Sequence, residues 1–403
     1  MLPILKETFQ RLLEKVSITH YRYLYYQLEL NNRLTGIVGP RGVGKTTLML
    51  QYIKNHFPNQ ANVFYFSADH IFFNQTTLFE FVNDLYRYDG IRIFFVDEIH
   101  KYGNWNQELK NIYDAFPDIK VIFSGSSSID LVKGAYDLSR RAKLYHLHGM
   151  SFREYLNFNL ETTLQPISLA EIFQNNHKTF KMIAEIPKLL GYFKEFLQTG
   201  YYPFLMEDNY SYYEKISNII EKAIYEDIAN FYNLKTPNLH YFKKILNYIA
   251  TIPPGELNTH NFARNLNIDY KTAFHYLTIL DEIELIRMIY AKGSGNVTLR
   301  KPEKIFLENT TLFYALNSLL SAEINSGSVR ELFFLQSLQN ANQKVFYSKQ
   351  GDYLINNNIM IEIGGKNKTR KQLKSSENAY LVKDDILTGF NQELPLYYFG
   401  FLY

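Results

Sequence analysis

Over the first 158 residues, short unbroken apolar runs alternate with stretches in which apolar residues recur every three or four positions. The runs "TGIVG", "NVFYFSAD", "IRIFFVDE" and "IKVIFSGSS" have strand length and no polar face, the pattern of strands buried on both sides. Between them, "KTTLMLQYIKNHF", "TLFEFVNDLYRY" and "WNQELKNIYDAF" carry helical spacing. This order predicts an α/β fold, a parallel sheet with helices on both faces. Ahead of it, Leu5, Phe9, Leu12, Leu13 and Val16 mark an amphipathic helix packed on the same region.

From Ser151 the pattern changes. Residues 159–236 read as a helical lid or connector, interrupted by "QTGYYPF". No Gly/Ser-rich linker separates the regions, so the domains are expected to join through packed helices. Residues 237–302 give a helix, a short second helix ("THNFARNLN"), a turn, a third helix from Asp269 and a strand pair, the order of a winged helix-turn-helix. Residues 303–403 mix a helix ("VRELFFLQSLQNAN") with strands ("KVFYS", "YLIN", "IMIEIGG"), an α+β pattern. There is no internal repeat.

Composition narrows the function classes. At 403 residues the chain exceeds one core, and two to four domains are expected. The net charge of +3, from 43 basic and 40 acidic residues, argues against a dedicated nucleic-acid coat while allowing a local basic patch. Cysteine is absent, which excludes disulfides and thiolate metal sites and fits a cytoplasmic location. Lys6, Glu7 and Arg11 break any apolar leader at the N-terminus, and no apolar run approaches the roughly 20 residues of a membrane span. The 33 Tyr and 31 Phe are spread along the whole chain, as core-filling residues are.

The chemistry concentrates in "GPRGVGKTTLM". Gly39, Gly44, Lys45 and Thr46 satisfy G-x-x-x-x-G-K-[ST], with a strand before and a helix after. Glycines let backbone N–H groups converge on phosphate oxygens, and the helix start directs its positive end at the same anion. Gly39, Pro40, Arg41, Gly42, Val43, Gly44, Lys45, Thr46 and Thr47 are therefore the candidate nucleotide-binding residues. Lys45 is placed for the β- and γ-phosphates, and the Thr46 hydroxyl for Mg²⁺. The apolar strand "IRIFFVDE" ends in Asp97, a second candidate Mg²⁺ ligand, and Glu98, which orients or polarises the attacking water. At the end of the next strand, Ser124 and Ser126 are candidates to touch the γ-phosphate or the water. Arg140 and Arg141, in "DLSRRA", are candidates to stabilise transition-state charge on a neighbouring subunit's nucleotide; the alternative is a solvated basic face. His146 and His148 share a strand face and read as structural.

Together, "GPRGVGKTTLM", "FFVDEIHKYGNW", "FSGSSSIDL", "DLSRRA" and "LHGMSFREYL" resemble a prokaryotic family of AAA-type P-loop ATPases with a winged helix and a C-terminal domain like the PD-(D/E)XK nucleases. "TGYYPF" is similar to that family's Gly-x-Pro turn, here Gly200 to Pro203. The resemblance spans nearly the whole chain and is strongest over 30–160. It implies a P-loop ATPase domain over 1–158, a helical connector over 159–236, a winged helix over 237–302 and a restriction-endonuclease-like domain over 303–403. It implies ATP and Mg²⁺ as cofactors, with Lys45, Thr46, Asp97 and Glu98 in the usual roles. Ser124 then takes the sensor position, and Arg141 matches the family's arginine better than Arg140.

Two regions depart from what that resemblance implies. In the third helix of the winged-helix segment, the polar residues are Tyr270, Lys271, Thr272, His275 and Tyr276, of which only Lys271 is basic. A DNA-reading helix carries more Arg, Lys, Asn or Gln, so protein packing is the favoured use. Lys292, Arg300, Lys301 and Lys304 mark a candidate wing. In the tail, Glu331, Asp352 and Glu362 fall where nuclease carboxylates would, but Gly364 stands where the resemblance implies a lysine. Lys366 and Lys368 follow, reaching in only through a bulge, and Arg370, Lys371 and Lys374 complete a basic cluster. Three activities follow in order of expectation: Mg²⁺-dependent ATP hydrolysis in a homo-oligomer with a nucleic-acid or protein partner, ATP-gated DNA binding, and DNA cleavage.

Overall fold

The computed structural model describes residues 2–125, 138, 140–174, 177–206, 211–232, 234–254, 259–293, 301–370 and 378–403. They form two compact units, Met1–Gly149 and Met150–Tyr403.

The first unit holds five parallel strands: β1 (Leu34–Val38), β2 (Val63–Ser67), β3 (Ile93–Asp97), β4 (Lys120–Gly125) and β5 (Ala142–His146). Their order across the sheet is β2-β3-β4-β1-β5, with every pair parallel. β1 is buried at every position, and β2, β3 and β4 at all but one end residue, as their unbroken apolar sequences require. β5, at the edge, is only partly buried. Helix α1 (Leu2–Lys15) buries Leu5, Phe9 and Leu13 and packs on α2 (Lys45–His56). Helices α3 (Leu78–Tyr88) and α4 (Trp105–Ala115) pack on each other. The crossover from β1 to β2 runs opposite to those from β2 to β3 and β3 to β4. Right-handed crossovers in opposite directions place α2 on one face and α3 and α4 on the other. Thr77 starts α3 with a reciprocal capping box to Glu80. This is the expected α/β arrangement, a parallel sheet with helices on both faces.

In the second unit, the helix Phe152–Leu160 begins with a capping box between Ser151 and Glu154. Helices Leu189–Thr199 and Tyr212–Lys222 follow, the latter running into a π-helical turn at Ala223–Ile228. Helices Thr236–Thr251, Thr259–Asn265 and Tyr270–Glu282 then lead to an antiparallel pair, β6 (Ile286–Ile289) and β7 (Lys304–Leu307). The helix Ser326–Asn340 precedes a mixed sheet ordered β12-β11-β10-β9-β8. Its strands are β8 (Val345–Tyr347), β9 (Tyr353–Ile355), β10 (Ile359–Gly364), β11 (Ala379–Lys383) and β12 (Glu393–Pro395). β8, β9 and β10 are antiparallel neighbours; β10, β11 and β12 are parallel. The chain meets the α+β expectation for this region, with β11 and β12 added to the strands read from sequence.

A buried polar network ties this unit together. Arg287 Nη2 donates to Glu308 Oε1 at 2.6 Å and to Asn340 Oδ1 at 2.8 Å. The Tyr201 hydroxyl donates to the same Glu308 oxygen, and Asn340 Nδ2 donates to the Tyr403 hydroxyl. Among the described residues, no helix is long and apolar enough to cross a membrane.

Candidate nucleotide site

β1 ends at Val38, and the loop from Gly39 to Gly44 leads directly into α2 at Lys45. Two glycines are required by geometry. Gly44, at φ +95°, is left-handed, and a Cβ on Gly39 would stand 2.1 Å from the Leu147 carbonyl oxygen. The Leu147 amide in turn donates to Val38 O at 2.7 Å, so the residues after β5 press on the loop. Lys45 is buried, and its ammonium donates to Gly39 O and Pro40 O at 2.8 and 2.7 Å. Behind the loop sits a buried cation, Arg22. Its guanidinium donates to Val43 O and, at 2.8 Å, to His148 O. It thereby takes up a carbonyl that must face outward if the loop amides are to face inward.

The sheet order delivers the acidic half. β4 lies between β1 and β3, so Ser124 sits between the loop and the end of β3. Asp97 is buried and saturated. Oδ2 accepts from Thr46 Oγ1 at 2.5 Å and from the Tyr65 hydroxyl at 2.8 Å. Oδ1 accepts from Ser124 Oγ and, at 3.1 Å, from the Glu98 amide, which Ser124 Oγ also meets at 3.2 Å. Burial pushes the Tyr65 hydroxyl pKa far up, and the neighbouring Asp97 charge adds to that shift. Glu98 is a non-glycine residue at φ +49°. Burial raises its pKa above the usual carboxylate range; Lys45 and Arg41 pull it down, and Asp97 and Asp69 push it up. His100 Nε2 lies 3.5 Å from Glu98 Oε2.

The fold therefore assembles Gly39, Pro40, Arg41, Gly42, Val43, Gly44, Lys45, Thr46, Asp97, Glu98 and Ser124 at the carboxyl edge of one sheet. The Thr46 hydroxyl and Asp97 carboxylate share one hydrogen bond and are hard oxygen donors, a pair that suits Mg²⁺. Thr47, one residue further, is exposed on α2.

Other expected residues fall elsewhere. Arg141 precedes β5, whose first residue pairs with Leu34 at the start of β1. Arg141 is thus level with position 33, six residues before Gly39, which at about 3.3 Å each is roughly 20 Å along the strands from the loop. Its Nη2 lies 3.4 Å from Asp114 Oδ1. Arg140 is exposed. Ser126 lies outside the described residues. His146 and His148 stack on each other with centroids 4.0 Å apart.

The second unit corrects two expectations. Tyr276 is not on a reading face: it is buried against Phe242, with ring centroids 4.7 Å apart. Asp269 caps the start of that helix, its Oδ1 accepting the Thr272 amide at 3.0 Å, so the end that would meet a phosphate carries a carboxylate. Lys304 is turned from the wing onto Glu331 Oε2, which also accepts from the Tyr353 hydroxyl. Arg300, Lys371 and Lys374 lie outside the described residues. In the tail, Lys368, and not Lys366, reaches the carboxylate. Its Nζ lies 2.8 Å from Glu362 Oε1, and Glu362 is fully buried, whereas Lys366 is exposed. The physical reason is Gly364, where a Cβ would collide with the Lys368 side chain at 2.5 Å. Asp352 Oδ2 accepts the Ile363 amide at 2.7 Å. Among the described residues, no group of three or more His, Asp or Glu is arranged to hold a metal ion, so Glu331, Asp352 and Glu362 form no such set.

Comparison with known proteins fits the first unit. Residues 31–156 match the family described as AAA domain, and residues 190–323 match a domain of unknown function (DUF8612). The chain is 30% identical over 386 residues to the uncharacterized protein MJ1637 of Methanocaldococcus jannaschii, covering 87% of this chain and 80% of the relative. The chain belongs to that protein's family. The loop and the Asp97–Glu98 strand end lie inside the part that matches an AAA domain. Among solved structures, AMPPCP-bound DnaA from Aquifex aeolicus is 15% identical, with 68% of this chain and 86% of that chain covered at a TM-score of 0.26. PCH-2 of C. elegans is 16% identical, with 39% and 46% covered at 0.24.

Tyr65, Arg22 and His100 were not legible as site residues. Tyr65 lies inside an apolar strand, and Arg22 precedes the motif by 17 residues.

Proposed function

We propose that the first unit is a Mg²⁺-dependent ATPase. The observation that carries this reading is the cluster in which Thr46, Tyr65 and Ser124 hold Asp97 beside the phosphate loop, with Glu98 the next residue. The loop amides and Lys45 bind the β- and γ-phosphates. Thr46 and Asp97 hold Mg²⁺, which when bound neutralises charge on the phosphate oxygens. Glu98 accepts a proton from water as the water oxygen bonds to the γ-phosphorus and the bond to the β-phosphate bridging oxygen breaks. Ser124 fixes the Asp97–Glu98 junction through both its hydrogen bonds.

Arg141 lies too far along the sheet to reach the nucleotide of its own chain, which supports a role on a neighbour's nucleotide in a homo-oligomer. In the second unit, the helices from Thr236 to Glu282 with β6 and β7 have the order of a winged helix. The burial of Tyr276 and the acidic start of its third helix support contact with protein over base reading. The C-terminal sheet is not proposed as a nuclease, because Lys368 neutralises Glu362 and Lys304 occupies Glu331.

Equilibrium binding of ATP to the parent and to Lys45→Ala, with and without Mg²⁺, tests the site. The reading expects at least tenfold weaker binding in the variant. Equal binding would contradict it.

A further inference from the structure

Glu98 Oε2 is buried and accepts no hydrogen bond in this geometry. Buried carboxylate oxygens are rarely left so, and such a site calls for an explanation. The backbone supplies one. Glu98 is left-handed at φ +49°, ψ 38°, a conformation unfavourable for a non-glycine residue. It is followed at once by the tight turn Ile99–Lys101, closed by the Lys101 amide on Glu98 O at 2.9 Å. An extended chain would carry residue 100 onward past β3. This turn folds it back, setting His100 Nε2 3.5 Å from Glu98 Oε2 with the imidazole almost fully buried. A shift of about half an ångström makes that approach a hydrogen bond.

We propose that His100 is the positioning residue of the reaction, its imidazole N–H taking Glu98 Oε2 so that Oε1 faces the attacking water. Strain of this kind at a strand end is retained where it serves a site. The inference rests on the ATPase reading. His100 touches neither nucleotide nor water; it acts through Glu98, as the orienting partner of a base does. The side chain that must present one oxygen to water is thereby prevented from rotating, which matters because small displacements of a reacting group slow reactions severely.

The test is a double-mutant cycle read by single-turnover hydrolysis of ATP and by equilibrium ATP binding. His100→Phe keeps the ring volume and removes the donor; it is expected to slow hydrolysis about tenfold with ATP affinity unchanged. His100→Gln keeps a donor and is expected to recover at least half of the lost rate. In a Glu98→Gln background, His100→Phe is expected to add no further loss. A parent-like rate in His100→Phe overturns the inference, as does an equal loss in the Glu98→Gln background, which would mark a merely structural role. If His100→Phe does not fold, His100→Asn, whose amide is too short to reach Oε2, replaces it with the same expectations. Should Glu98→Gln itself hydrolyse ATP like the parent, the base assignment fails first, and this inference falls with it.

Discussion

The Tyr65 hydroxyl donates to Asp97 Oδ2 at 2.8 Å, the oxygen that Thr46 also holds. A residue from the edge strand β2 thus sets the carboxylate on which the proposed metal site depends. Tyr65→Phe keeps the buried ring and removes this bond. A hydrogen bond to a charged group contributes about 1.5–3 kcal/mol, part of which solvent or Thr46 recovers. With about 1 kcal/mol lost in metal binding, the Mg²⁺ concentration for half-maximal turnover should rise about fivefold. Mg²⁺ titration of ATP turnover, with Mn²⁺ binding as a second readout, checks it; an unchanged requirement would deny Tyr65 this role.

Arg141 should matter between subunits. Arg141→Ala is expected to bind ATP as the parent does and to turn it over about a thousandfold more slowly, the lower end of what a charge-stabilising arginine contributes. Mixing it with Lys45→Ala should restore part of the activity, since each supplies what the other lacks. Mixtures no better than either variant alone would place Arg141 outside the reaction.

The buried ion pair in the second unit should dominate its stability. Glu308 and Arg287 expose only 4% and 11% of their side chains. Arg287→Leu leaves Glu308 buried beside Tyr201 without its cation, a change that costs about 3–5 kcal/mol. Urea denaturation followed by far-UV circular dichroism measures this, because the one tryptophan, Trp105, belongs to the other unit.

Asp281 gives a pH dependence of definite sign. Burial pushes its carboxyl up to about 6 from the ordinary 3.8, against the opposing effects of the Met288 amide and Arg287. The folded state therefore holds the proton more tightly. The stabilisation is whole below pH 3.8 and is lost as pH rises through about 6. Its size is about 3 kcal/mol at about 1.4 kcal/mol per unit. The stability difference between the parent and Asp281→Asn should shift by that order between pH 4 and pH 7, in favour of the variant at the higher pH. A difference independent of pH would show that Asp281 titrates normally.

The nucleotide site was legible where local spacing dictates backbone shape. The loop from Gly39 to Thr46 and the strand end at Asp97 and Glu98 stand where the apolar pattern put them, because a phosphate loop needs a strand, a left-handed glycine and a helix start in immediate succession. What was hidden depends on partners far apart in sequence. Arg22 meets His148 O across 126 positions, and Tyr65 meets Asp97 from a neighbouring strand. No periodicity within either segment records such pairings. The tail illustrates the same limit. Gly364 was visible as an anomaly, but only the folded turn shows that it makes room for Lys368, four residues on. Tyr276 is a further case: a tyrosine on a helix reads equally as a contact or a core residue until the neighbouring Phe242 is seen.

The proposed reaction has Glu98 activate water beside a nucleotide held by Lys45, Thr46 and Asp97. Single-turnover hydrolysis of ATP in Mg²⁺, comparing the parent with Glu98→Gln at equal nucleotide occupancy, tests it most directly. ATP affinity should be unchanged and hydrolysis slowed at least about a hundredfold, the lower end of a general base's contribution. Equal rates in the two proteins would contradict it.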